Sequence, residues 1–242
     1  IVGAGFSGAV VARQLADAGH TATVFDTRSH VAGNCFTQRH DSGVMVHVYG
    51  PHIFHTQHEH VWDYINRFGT MKAYRHTVSA MSGGKKYQLP MNLTLINDFF
   101  GTNFTPEEAE AFITEKADKT ITNPVSFEDQ ALRFVGREMY EAFFKGYTKK
   151  QWGVEPTELP ASILARLPLR FTADNSYFNH PFQGIPEHGY TPIVEAILDH
   201  PSITVHLSTA FDPASSHAYD HVVWTGPIDA YFGFEHGRLG YR

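Results

Sequence analysis

The apolar positions change period several times along this chain, and each change marks an element. Ile1 and Val2 lead into Gly3, Gly5 and Gly8. Val10, Val11, Leu15 and Ala18 follow at helical spacing on one face, with Gly19 placed as a C-cap. Residues 21–26, TATVFD, read as a buried strand ending in an acid. The start of the chain is therefore strand, glycine turn, helix, strand. Residues 72–90 predict two strands around a Gly83-Gly84 turn. Residues 105–119 predict a helix with Thr105 as N-cap, Pro106 at its first position and acids in its first turn. A second helix spans 126–146, entered at Ser126, and a third precedes RLPLRFT and stops at Pro168. Residues 189–200 form a short helix, and SITVHLS and DHVVWTG return to strand character.

This order describes an α/β chain in which a Rossmann-like domain is interrupted and then resumed near residue 200. The expected division has three parts: the Rossmann-like domain from 1–70 and 200–242, a small antiparallel sheet domain from 71–97 and 166–199, and an inserted helical domain over 98–165. Neither an internal repeat nor a low-complexity linker interrupts the pattern.

Composition narrows the function. With 242 residues, 42% of them hydrophobic and 18% charged, the chain can bury a sizeable core. A net charge of −6 argues against a general nucleic-acid surface. Cys35 is the only cysteine, so no intrachain disulfide forms, and a reducing, cytoplasmic setting is expected. No apolar run approaches the roughly 20 residues of a membrane span. P-loop, nucleophile-elbow, HExxH and CxxC motifs are absent from the sequence, which leaves hydrolase and ATPase readings without support.

The spacing Gly3-x-Gly5-x-x-Gly8 fits a dinucleotide loop: a tight turn, a close pyrophosphate approach and close helix–strand packing. Asp26, 18 residues beyond Gly8, is placed to accept from ribose hydroxyls. The residues alone leave NAD and FAD both open, and Arg28 keeps NADP in view.

Three further clusters carry possible chemistry. HVYGPHIFHT holds His47, His52 and His55, readable as core histidines, metal ligands or neighbours of a cofactor ring. FFKGYTKKQWG alternates Phe143, Phe144, Tyr147 and Trp152 with lysines, a pattern that suits stacking on a base beside phosphate or a helix end with core aromatics. In that stretch Trp152 lies beyond the helical pattern. The third cluster places Arg166 and Arg170 before Tyr177-Phe178, where an arginine fork would suit a diphosphate and surface ion pairs are the plainer reading.

Taken together, VGAGFSGAV, HVAGNCFT, YGPHIFHT, FFKGYTKKQWG, ELPASILARLPLRFTADNSYF, FQGIPEHGYT and WTGPIDAYF closely resemble bacterial UDP-galactopyranose mutase, in the family's order. The resemblance implies a Rossmann-like FAD-binding fold and an isomerase of UDP-galactopyranose and UDP-galactofuranose. In that family a covalent adduct of the sugar with N5 of reduced FAD carries the ring contraction, which serves galactofuranose-containing glycans and cell-wall synthesis. It implies no metal, a homodimer and an external reductant for the flavin.

Carried over, the cofactor would contact Gly3, Gly5, Phe6, Ser7 and Gly8, then Asp26, Thr27, Gly33 and Asn34. His52, Ile53 and His55 would lie at the isoalloxazine, and Thr225, Gly226 and Pro227 would complete the FAD contacts. Phe143, Phe144, Tyr147, Thr148 and Trp152 would form a mobile wall around uridine, with Tyr147 on uracil. Arg166 would bind the diphosphate, and Tyr177 and Phe178 would line the substrate channel. His55 and Arg166 are the expected catalytic side chains, and Arg170 is expected to be structural.

Two departures stand out. Val31-Ala32-Gly33-Asn34 replaces the family's double glycine, and the chain ends where family members continue, so an internal fragment of a longer protein is expected. An amine-oxidase-type flavoenzyme and a UDP-sugar-binding protein without catalysis are the competing readings.

Overall fold

The computed structural model describes residues 1–166 and 169–240, without the side chains of Ala165 and Arg166. Pro168, the expected helix stop, lies outside the described residues, as does the Arg166 side chain. In chain order the elements are α1 (Phe6–Asp17), β1 (Ala22–Phe25), β2 (Thr37–Arg39), β3 (Met45–His47), β4 (Phe54–Thr56), α2 (Glu59–Asn66) and β5 (Met71–Ala73). There follow β6 (Val78–Ser82), β7 (Lys85–Leu89), α3 (Leu93–Phe100), α4 (Pro106–Lys116), α5 (Phe127–Met139) and α6 (Gly146–Trp152). The chain closes with β8 (Phe182–Pro186), α7 (Tyr190–Leu198), β9 (Ile203–His206) and α8 (Ile228–Tyr231). Contacts gather these into two units, residues 1–74 with 180–242, and residues 75–179. β8 pairs with both β4 and β5, which ties this returning stretch to the first unit.

The first unit is built on parallel neighbours. β1 runs beside β9 from Ala22↔Ile203 to Phe25↔His206. On the other side of β1, Val2 bridges Phe25, and it also bridges Trp224. Only Trp224 of the expected strand 220–226 makes such a bridge, because the neighbour it meets offers Val2 alone. Helix α1 packs on β1 and α7, but not through the face its sequence suggests. Gly8, Ala9, Ala12 and Ala16 are buried, while Leu15 is 36% exposed. The small residues admit α7 closely, and Ile193, Val194, Ile197 and Leu198 supply the bulk of the shared core. Gly19, at φ +89°, follows the Ala18 cap and closes a Schellman turn: its N–H donates to Ala16 O and that of His20 to Leu15 O.

The second unit is helical around one hairpin. β6 and β7 pair antiparallel across Gly83-Gly84, whose positive φ values give the two-residue turn that such strands favour. Thr105 and Ser126 each close a capping box, with Glu108 and Asp129 reaching back to the cap amides. The expected helix over 126–146 is not continuous. Gly136 leaves the helical region at φ 76° and ψ 172°, and a π-helical turn follows at Tyr140–Lys145. A Cβ at Gly136 would stand 2.5 Å from the Lys116 carbonyl oxygen, so the close approach of the end of α4 sets the break. Trp152 is the last residue of α6, not a residue beyond it. The helix expected before RLPLRFT is a 3₁₀ segment at Ala161–Arg166. Leu95, Ile96, Phe127, Val135, Met139 and Tyr140 form the core of this unit.

Candidate active site

The expected cofactor residues fall on the first unit. Gly5 caps α1 without a side-chain hydrogen bond, and the first turn carries no acid, so its amide dipoles point outward unopposed. Gly3 takes φ +108°, and a Cβ there would strike Thr225 Oγ1 at 2.2 Å. A Cβ at Gly8 would lie 1.9 Å from Gly3 O, which is why the helix can start so close to the strand. Thr225 Oγ1 donates to Val2 O at 2.8 Å, and Trp224 Nε1 donates to Pro227 O at 3.0 Å, fixing the Thr225-Gly226-Pro227 turn beside the loop.

Asp26 fastens this loop to β1. Its Oδ2 accepts from Ala4 N–H at 2.8 Å and its Oδ1 from Arg28 N–H at 2.9 Å. Each oxygen keeps a further lone pair for a ligand hydroxyl. Thr27 and Asn34 are exposed, and Asn34 Oδ1 accepts from Arg28 at 2.9 Å. Ala32 occupies the left-handed conformation at φ 71°, with Gly33 next to it at φ 53°. Ala32 holds this conformation without being a glycine, at about 1–2 kcal/mol of local strain. Ala32 N–H donates to Ala4 O, joining this turn to the glycine loop.

The histidine segment packs on the same unit. Tyr190 stands edge-on to Phe6 at 5.8 Å and to His47 at 5.7 Å, and its hydroxyl donates to His52 O. Burial pushes the Tyr190 phenol well above its ordinary range, so it stays protonated as a donor. His47 Nδ1 accepts from His52 N–H, and burial, then His52, lowers its pKa. His52 Nδ1 lies 2.8 Å from Gly50 O. Ile53 is half-buried. His55, on β4, sits with its Nδ1 2.7 Å from that of His180. Burial first and His180 second lower the His55 pKa. The sequence reading singles out neither Tyr190 nor His180.

The expected substrate residues fall on the second unit, and they divide by depth. Phe144 and Thr148 are 5% and 4% exposed, and Phe143 packs edge-on against Tyr87 and Phe99. Tyr147 is 65% exposed, and Trp152 is partly buried against the helical core. Tyr177 and Phe178 cluster with His76: Tyr177 lies edge-on at 5.4 Å and Phe178 stacks at 6.0 Å. Arg170 donates to the carbonyls of Ser176 and Tyr177, and Asn92 Nδ2 donates to Asp174 O. Arg170 thereby holds the loop that carries Tyr177. Hydrogen bonds from the Ser176 backbone and hydroxyl lower the Asp174 pKa. No group of three His, Cys, Asp or Glu side chains could hold a metal ion among the described residues.

A glycine-looped βαβ start, an acid at the end of its second strand and a returning parallel strand define a Rossmann-like dinucleotide-binding protein, and residues 1–68 match the family model for an NAD(P)-binding Rossmann-like domain. Residues 142–242 match the model of UDP-galactopyranose mutase. Over its whole length the chain is 55% identical to a probable UDP-galactopyranose mutase of Klebsiella pneumoniae, of which it spans 63%. It is 47% identical to a dTDP-fucopyranose mutase of Escherichia coli, spanning 66%, and 29% identical to the UDP-galactopyranose mutase of Mycoplasma pneumoniae, spanning 65%. A crystal structure of reduced UDP-galactopyranose mutase shares the fold, with a TM-score of 0.63 at 16% identity over 84% of this chain and 47% of that one. The chain is similar to these mutases throughout its own length and spans slightly less than two thirds of theirs.

Proposed function

We propose that the full-length protein interconverts UDP-galactopyranose and UDP-galactofuranose with FAD in its reduced form, supplying galactofuranose for glycan and cell-wall synthesis. The observation that carries this reading is the 55% identity to a probable mutase across every residue of the chain. The structural support is the fit of the first unit to a dinucleotide: a helix start without a side-chain cap, Gly3 and Gly8 at positions with no room for a Cβ, and a carboxylate with free lone pairs.

In this reading Gly5, Phe6, Ser7 and Gly8 bind the pyrophosphate through backbone amides, Gly3, whose own N–H donates to Phe25 O, lets the loop approach it closely, and Asp26 accepts from ribose. Thr27, Gly33, Asn34 and the 225–227 turn hold the rest of FAD, with His52, Ile53 and His55 at the isoalloxazine. When bound and reduced, FAD supplies an electron-rich amine, N5, as nucleophile toward the anomeric carbon of the sugar. Tyr147 stacks on uracil, with Trp152 beside it, and Phe143, Phe144 and Thr148 support that wall from the core side. Arg166 takes the diphosphate, and Tyr177 and Phe178 exclude water from the sugar. The catalytic work of the chain is to orient and to stabilise charge, which accounts for the absence of a nucleophile motif from the sequence. A homodimer, a cytoplasmic setting and an external reductant belong to the same proposal, as does the division of the chain into three domains.

The test is incubation of the full-length protein with UDP-galactofuranose, with and without dithionite, following UDP-galactopyranose by chromatography. Conversion only with reduced flavin is expected. Hydrogen peroxide with net oxidation would instead indicate an amine-oxidase-type enzyme, and UDP retention without conversion a binding protein. A parallel arm with dTDP-fucofuranose, prompted by the 47% identical relative, would overturn the sugar assignment if it alone were turned over.

A further inference from the structure

β4 and β8 lie side by side, with His55 opposite Gln183 in the ladder. Gln183 Nε2 donates to the carbonyl of His180 at 2.7 Å, so the residue across the ladder from His55 also anchors the turn that carries His180. The imidazoles of His55 and His180 meet at 4.8 Å between centroids, tilted by 33°. Their Nδ1 atoms are 2.7 Å apart. Two bare Nδ1 lone pairs would repel at that distance, and two Nδ1–H groups would collide, so the contact holds a single proton.

We propose that His180 is a positioning residue that acts through His55, keeping one proton between the two Nδ1 atoms and thereby fixing the tautomer and ring angle of His55. The proposal rests on the reading above, in which His55 faces the flavin. In the neutral pair the ring that donates from Nδ1 has a bare Nε2, and the ring that accepts carries its proton on Nε2. The two outer edges are therefore chemically opposite. The pair also accommodates no more than one positive charge, in keeping with the lowered pKa of His55. His55 can therefore change tautomer only if His180 changes with it.

The experiment compares the wild-type full-length protein, loaded with FAD, with His180→Ala and His180→Asn. The amide of the asparagine reaches the place of the imidazole Nδ1. Imidazole nitrogen NMR of the wild type should show one Nδ1–H ring and one Nε2–H ring for the pair. His180→Ala should return His55 to a mixed tautomer, move the flavin potential, and lower kcat by about 10- to 100-fold with little change in KM, the loss seen when a partner that orients a histidine is removed. His180→Asn should restore most of kcat and the single tautomer. Two rings of the same tautomer in the wild type would overturn the proposal. So would a His180→Ala protein whose His55 tautomer and flavin potential are unchanged, and so would equal losses in both variants with intact folding by circular dichroism. Absence of turnover in the wild type would overturn the mutase reading instead, while the NMR and the flavin potential still decide the role of His180.

Discussion

A methyl group at Gly8 would meet the Gly3 carbonyl at 1.9 Å, and neither atom belongs to a side chain that could swing aside. Gly8→Ala must push α1 off the loop, at the roughly 1–3 kcal/mol of an overpacked site. FAD affinity should fall by about ten- to a hundredfold in a fluorescence titration of the full-length protein, and unchanged affinity would remove the loop from the cofactor site. Tyr147 makes the opposite case. At 65% exposed it holds little of the fold, so Tyr147→Ala should leave the unfolding free energy from urea titration within about 0.5 kcal/mol of wild type. UDP binding should weaken by about 1–3 kcal/mol, the worth of one aromatic stacked on a base, read by calorimetry. His47 and His55 have folded pKa values below their unfolded ones. The native state therefore binds fewer protons than the unfolded chain. Stability is retained above the ordinary histidine range and falls as pH drops through it toward the lowered values. Melting should thus occur at lower temperature at pH 5 than at pH 7.5, and a flat profile would contradict the burial of both rings. The glycines and Asp26 are legible in the sequence because their work is local and fixed by spacing. His180 and Tyr190 are not legible: His180 meets a partner 125 residues away, and Tyr190 reaches one at a separation of 138.

Among the elements, the helix starts are the most legible, since a cap and its returning acid are three residues apart. Thr105→Ala and Ser126→Ala each remove one capping box and should cost about 1 kcal/mol in denaturant unfolding. Gly136→Ala should cost more than either, because an alanine must adopt φ 76° while its methyl presses on the Lys116 carbonyl. A smaller loss there than at the caps would show that the break relaxes into a regular helix. That break, the π-helical turn and the small-residue face of α1 are not written in the periodicity. α7, which supplies the bulk that excuses α1 from supplying it, lies far along the chain, and the approach of α4 is what singles out Gly136. Periodicity reports which positions are apolar; it does not report how near the neighbour will come.

At the scale of the whole molecule the Rossmann-like class is legible, because a βαβ start needs further parallel strands, and β9 is one; the first unit itself resumes at residue 180. The pairing of β8 with β4 and β5 is not legible, since three short antiparallel strands leave no period of their own. If the cofactor belongs to the first unit, adding FAD without nucleotide sugar should slow hydrogen exchange at residues 3–8, 26–34 and 224–227. At a ligand excess of about 100 Kd the gain should approach 2.7 kcal/mol. Equal protection across 75–179 would count against that assignment. The parallel neighbours β1 and β9, and Val2 with Trp224, also impose an order on biosynthesis. At about 5–20 residues per second, roughly 10–35 s separate the emergence of the first strand from that of its neighbour. For that interval the glycine loop leaves the ribosome without the strands that brace it. Residues 75–179 emerge within that interval and can condense meanwhile, so the unit that is earliest to begin is not the earliest to be complete.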